Sequence, residues 1–311
     1  MKLNNSIKLA IANFALFWKL LLYKIVALGL GCIFLLPILN ILKNTFTASG
    51  LIDVIKEFFI APAFQSVTKI TNQVLSVFQT FFAGIVDLAN NNVFALIYLA
   101  IIIMIVIPFL FKLSDVPASE VVYSYMSSLN KNSFTINYIN MFGKSASYSI
   151  LRTIFEIIFW TVLFSGTYGL LLLGTLSDLM SILSPLLLFI FIVFLFALNS
   201  SFYNGWAPSI VVFNCCALKG FKKGIKAIKR NFFSILSSFT VCMTVFVCLT
   251  YIFGIYGLFL IIPLSALILS VFGQVLFFES QGMNYYLSPD KIISPRKLEC
   301  ADKIKQVKNI I

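Results

Sequence analysis

Histidine is absent from the 311 residues. That removes the commonest general base near neutral pH and the commonest metal ligand. Ser-His-Asp and Cys-His triads, HExxH zinc sites and His-ligated haem are excluded with it. Charge is scarce as well. Asp, Glu, Lys and Arg make up 11% of the chain, against about 25% in an ordinary soluble domain. Acids are the rarer sign, 11 against 23 basic residues. No CxxC pair occurs among the six cysteines, Cys32, Cys215, Cys216, Cys242, Cys248 and Cys300. A disulfide framework would need an extracytoplasmic cluster, which is missing, so these read as small hydrophobes packed between helices.

Apolar surface fills the place of the missing charge. Hydrophobic residues are 60% of the chain and mean hydropathy is +0.99. A soluble fold of this length would leave large apolar patches in water; lipid solvates them directly. Six stretches are long and apolar enough to cross a hydrocarbon core of about 30 Å, which takes about 20 helical residues. They lie near Leu20–Leu42, Val93–Phe111, Thr153–Leu176, Ile182–Tyr203, Phe233–Phe253 and Leu258–Phe278. Backbone groups in lipid must be satisfied within a segment, so helices are expected despite β-branched runs such as Leu99 to Ile107. The expected fold is all-α, a polytopic bundle of six transmembrane helices with amphipathic interfacial helices. One membrane domain covers residues 1–287, with an extracytoplasmic helical insert at 43–92 and a cytoplasmic tail at 288–311.

The net charge of +12 would point to nucleic acid in a soluble protein. Here the cations flank apolar spans, so membrane lipids, anionic at the inner leaflet, are the expected partners, with other membrane proteins beside them and no nucleic acid. With the N-terminus inside, every Lys and Arg except Lys43, Lys56 and Lys69 falls on the cytoplasmic side. The positive-inside rule therefore predicts both ends in the cytoplasm. The first apolar run is too long and too late in its small residues for a cleaved signal peptide, and reads as a retained helix. In the insert, Phe64, Val67, Ile70, Val74, Phe78, Phe81, Ile85 and Leu88 share one helical face. That face fits a lid over the bundle, or a helix lying in the outer headgroup layer or packed on the spans.

The strongest local signal is Leu218–Phe233, LKGFKKGIKAIKRNFF. Apolar Leu218, Phe221, Ile225, Ile228 and Phe232 recur at spacings of three and four. Lys219, Lys222, Lys223, Lys226, Lys229 and Arg230 fill the other side with no acid among them. This is a basic amphipathic helix suited to the inner leaflet, as a topology anchor or as a docking site for lipid headgroups or protein. Gly220 and Gly224 weaken it, which predicts that part of its order comes from the membrane.

A second signal closes the fourth span, Asn199-Ser200-Ser201-Phe202-Tyr203-Asn204-Gly205-Trp206-Ala207-Pro208. Gly205 and Pro208 predict a break. Its polar groups, Asn199 and Asn204 with Trp206, either line an intramembrane site or anchor the chain at the interface. Glu156 is the one acid placed inside a span. Arg152 stands four residues before it, close enough to pair with it. Gly143-Lys144-Ser145 imitates the end of a phosphate loop, but Tyr138 stands where the first glycine belongs. The stretch from Lys112 to Arg152 reads as a connector with a short helix. No cofactor is expected.

The segments DVPASEVVYSYMSSLN, NGWAPSIVVFNCCALKGFKKGIKAIKRNFFSIL and SQGMNYYLSPDKIISPRKLECADKIKQVK resemble uncharacterised six-span membrane proteins of low-GC Gram-positive bacteria. More distantly, the basic helix leading into an aromatic span is similar to the membrane domain of glycerophosphodiester phosphodiesterases. The resemblance implies a six-helix bundle in a bacterial membrane. It implies no activity and carries over no functional residue. The role expected from these readings is a non-enzymatic membrane scaffold or accessory protein, with a transporter or transporter subunit for a small or lipid-like solute as the alternative.

Overall fold

The computed structural model describes residues 14–60, 67–126, 133–229, 231–256 and 262–280. Helices account for nearly all of them, and no strand occurs among them. In chain order they are α1 Phe14–Leu35, a 3-10 turn Leu36–Ile38, α2 Leu39–Ala48, α3 Leu51–Ile60, α4 Val67–Asn91 and α5 Val93–Ile101. A π-helical turn, Ile102–Val106, leads into α6 Ile107–Lys112, α7 Asp115–Met126, α8 Phe134–Asn140 and α9 Phe142–Leu173. The remainder are α10 Asp178–Tyr203, α11 Trp206–Phe213, α12 Ala217–Lys229, α13 Phe232–Tyr256 and α14 Ile262–Ser280.

Five helical stretches are long and apolar enough to cross a bilayer: Phe14–Ala48, Val93–Ser124, Phe142–Leu173, Leu183–Phe213 and Phe232–Thr250. They coincide with the first five predicted spans. The sixth predicted span overlaps α14, whose apolar part among the described residues, Leu267–Phe278, is shorter. Many large apolar side chains on these helices point outward, among them Leu22, Ile25, Ile33, Ile97, Ile103 and Val241. That surface fits lipid as its solvent. Hydroxyls within a span bond back to the preceding turn of their own helix. In α13, Thr240, Thr244 and Thr250 donate to the Leu236, Thr240 and Phe246 carbonyls at 2.8–2.9 Å.

The chain forms two compact units from interleaved stretches. The first draws on Met1–Val26, Phe109–Thr153 and Phe196–Ile311. Its centre is the second half of α14, where every residue from Val271 to Phe278 is buried. Phe239 of α13 meets Phe272 edge-on, and Phe278 lies beside Tyr123 of α7. Leu16, Leu20, Val122, Phe134 and Ile235 complete this core. The stretch from Lys112 to Arg152, expected as a connector with a short helix, holds α7, α8 and the start of α9. Its α7 packs on α11 and α14. The apolar residues Val116, Ala118 and Val122 are too few to read as a span and are enough to seat a helix.

The second unit comprises Ala27–Pro108 and Ile154–Leu195. Two of its helices are interrupted where proline withholds an N–H. Pro37 tightens the chain into the 3-10 turn. Ahead of Pro108 the helix widens, with the Ile107 N–H reaching back to the Ile102 carbonyl. Near the first break the Tyr98 hydroxyl donates to the Phe34 carbonyl at 2.9 Å. Helix α4 packs on α2, α3 and α5, with Phe81 stacked on Phe46 and Gly84 against the same ring. Residues 61–66, including Phe64, lie outside the described residues.

Helix α9 offers a paired test of this packing. A Cβ at Gly166 would stand 2.2 Å from the Phe191 ring, whereas nothing lies within 4 Å of one at Gly169. Gly166→Ala is expected to lower stability in detergent by about 1–3 kcal/mol. Gly169→Ala is expected to be neutral or to stabilise by up to about 1 kcal/mol. Thermal unfolding of the two purified variants checks the contrast.

Candidate functional site

All six cations of the basic segment except Arg230, which lies outside the described residues, stand on or beside α12. The structure reassigns the faces of that helix. The residues it buries are Ala217, Gly220, Gly224, Ala227 and Ile228, so of the bulky apolar set only Ile228 is fully covered. Leu218 is 61% exposed, and Phe221 and Ile225 are half-buried at the flank. The glycines are the reason. A Cβ at Gly224 would stand 2.8 Å from the Gly205 carbonyl oxygen, and one at Gly220 would stand 2.5 Å from Ile210. Helix α12 therefore sits backbone to backbone on the α10–α11 turn and α11, as small residues spaced by four permit. This contact offsets part of their cost in helix propensity.

Trp206 locks the seat. It is 1% exposed, donates from Nε1 to the Ala217 carbonyl at 2.8 Å, and packs on Phe221 with 4.6 Å between centroids. Its expected role as an interfacial anchor is replaced by a core role. Asn214 adopts the left-handed conformation, φ 47°, which ends α11 and turns the chain into α12. Lys144 donates to the Asn214 side-chain oxygen, and Lys223 lies over the Phe213 ring at 3.9 Å. Beside them, burial pushes the Cys215 thiol above its ordinary pKa, opposed by the nearby Lys223 charge. The remaining lysines, Lys219, Lys222, Lys226 and Lys229, are all exposed, so one side of the helix is an uninterrupted cationic surface.

The predicted break between α10 and α11 is present at Asn204–Gly205. Pro208 falls in the first turn of α11, where its missing N–H is harmless. Around the break the first unit gathers polar groups. Arg152, 5% exposed, lays its guanidinium 3.8 Å over the Tyr203 ring and donates to Asn199 Oδ1 at 3.4 Å. Tyr203 in turn lies beside Trp206. Tyr148 meets Trp206 edge-on and donates to Asp115 Oδ2 at 3.3 Å, while Gln274 Nε2 donates to the Asp115 carbonyl. Asn204 rests against Gly273, whose Cβ would stand 2.8 Å from Asn204 Oδ1. Arg152, Asn199, Asn204 and Trp206 are thus placed in one unit; Glu156 is half-buried further along α9.

Several buried atoms in this unit have no partner among the described residues: the hydroxyls of Ser119, Ser145, Ser149 and Ser209, Gln274 Oε1 and Asn204 Nδ2. Sequence reasoning missed Asp115, Tyr148 and Gln274. The signal that would have found part of this face is Ser145-x3-Ser149-x3-Thr153, one side of α9 repeating every four residues. Among the described residues no three of His, Cys, Asp and Glu come together as metal ligands, and the five described cysteines are free thiols. No family model, curated protein or solved structure matches this chain.

Two substitutions test the seat. Gly224→Ala drives a methyl into the Gly205–Trp206 backbone, which has no rotamer to yield, and is expected to cost about 1–3 kcal/mol. Trp206→Phe removes the bond to the Ala217 carbonyl, which keeps only its helical donor, and is expected to cost about 0.5–1.5 kcal/mol. Thermal unfolding in mild detergent reads both.

Proposed function

We propose that the chain is a six-span plasma-membrane protein, both ends cytoplasmic, acting as a non-enzymatic scaffold or accessory protein. In this reading α12 is the working surface, a helix held at the inner face of the membrane for a protein or lipid to dock on. The single observation that supports it best is the α12 seat. Four exposed lysines are presented by a helix whose orientation is fixed through Gly205, Gly220, Gly224 and Trp206. A helix serving as a topology anchor alone needs charge but no such seat. The lack of histidine and the thin scatter of acids weigh against an enzyme.

A second reading, a transporter or transporter subunit for a small or lipid-like solute, draws on the buried polar set around Asp115, Tyr148 and Gln274. Polar groups beside a helix break are how many membrane proteins pass solutes. In proteoliposomes, solute uptake that Gln274→Leu abolishes would favour this reading over the first.

Topology is checked with Cys216, which is exposed in the α11–α12 link. In a Cys300→Ser background, a membrane-impermeant maleimide is expected to label Cys216 in inside-out vesicles and not in intact cells. Cys215 is expected to react more slowly than Cys216, since burial raises its thiol pKa and keeps the nucleophilic thiolate scarce near neutral pH. Labelling of Cys216 on intact cells would refute the inner-face placement. Co-purification in mild detergent then tests docking. Partners retained by the native chain should be lost when Lys219, Lys222, Lys226 and Lys229 all become Gln.

A further inference from the structure

Resting on the inner-face reading above, we infer that the occupant of the outer face of α12 is anionic phospholipid. The helix acts as a preformed headgroup-binding element whose shape does not depend on the membrane. At about 100° per residue, the exposed lysines Lys219, Lys222, Lys226 and Lys229 form one continuous sector of α12. Leu218, 61% exposed, adjoins that sector, with Phe221 and Ile225 continuing the apolar flank toward the seat. The buried strip of Ala217, Gly220, Gly224 and Ala227 closes the circle.

Three sectors need three environments. Protein supplies the first through α11. A headgroup layer supplies the other two together, phosphate oxygens for the lysines and the upper acyl region for the flank. An acidic protein surface would satisfy the charges and leave the flank facing polar groups. Phe233, 82% exposed, lies one residue inside α13, the apolar span that begins three residues after α12 ends, and adds apolar surface at the start of that span. No acid interrupts α12, so nothing in the helix competes with phosphate. Because α12 is seated on backbone, lipid does not have to order it. Binding therefore appears as a stabilisation of the folded chain that depends on lipid charge, not as a gain of helix.

The test uses the full chain in nanodiscs of phosphatidylcholine alone, or of phosphatidylcholine and phosphatidylglycerol in equal parts. The expected result is a Tm higher by roughly 5 °C in the anionic discs, a rise that shrinks with added salt. Far-ultraviolet circular dichroism should be equal in both. The rise should vanish in the Lys219→Gln, Lys222→Gln, Lys226→Gln, Lys229→Gln variant and persist when the same four become Arg. Free glycerol phosphate at matched concentration should not reproduce it. Equal Tm values for the native chain in the two lipids would overturn the inference, and that comparison stands even if the Gln variant fails to fold. So would a rise retained by a folded Gln variant, or one produced only by an acidic polypeptide such as polyglutamate. Labelling of Cys216 from outside sinks the inner-face reading; inner labelling with no lipid dependence sinks this inference alone.

Discussion

The first unit depends on how closely two stretches of backbone approach each other. At Gly224 the space for a Cβ is occupied by the Gly205 carbonyl and the Trp206 Cα. Without a hydrophobic drive between apolar helices in lipid, such contact is a principal source of association. The close approach brings the Ala217 carbonyl to the Trp206 indole and turns the bulky face of α12 outward. It also brings Lys223 onto Phe213. The cationic surface is thus a consequence of glycine placement as much as of lysine placement.

How far this could be read from the sequence follows from what each signal averages over. The spans were legible because about 20 apolar residues in a row dominate any local preference. The break after Tyr203 was legible because Gly205 and Pro208 act on their own backbone. The faces of α12 were not legible. Periodicity assigns Leu218, Phe221, Ile225 and Ile228 to the buried side by size, and the helix buries Ile228 together with glycine and alanine while leaving Leu218 exposed. That choice is made by the partner, α11, and no local pattern contains it.

The polar set shows the same limit. Arg152, Asn199 and Trp206 were marked by their chemistry inside apolar surroundings. Asp115, Tyr148 and Gln274 lie on α7, α9 and α14, far apart in sequence, in segments that look like a connector, a helix lead-in and an ordinary apolar span. A short helix was expected in the stretch that holds α7, but its place in the core was not legible, because its buried residues, Val116, Ala118 and Val122, span too little length to register as membrane helix. Their role depends on the wholly buried half of α14 against which they pack.

The interleaving of the two units imposes an order on synthesis. The second unit possesses its entire chain once Leu195 has been made. The first begins at the N-terminus yet lacks its centre until α14, near the end of the polypeptide, has emerged. Its early segments, α1 and α7, are therefore made before the helix they pack around, and Ser119, fully buried in the finished unit, precedes that partner. The last described helix is the one around which the first unit closes.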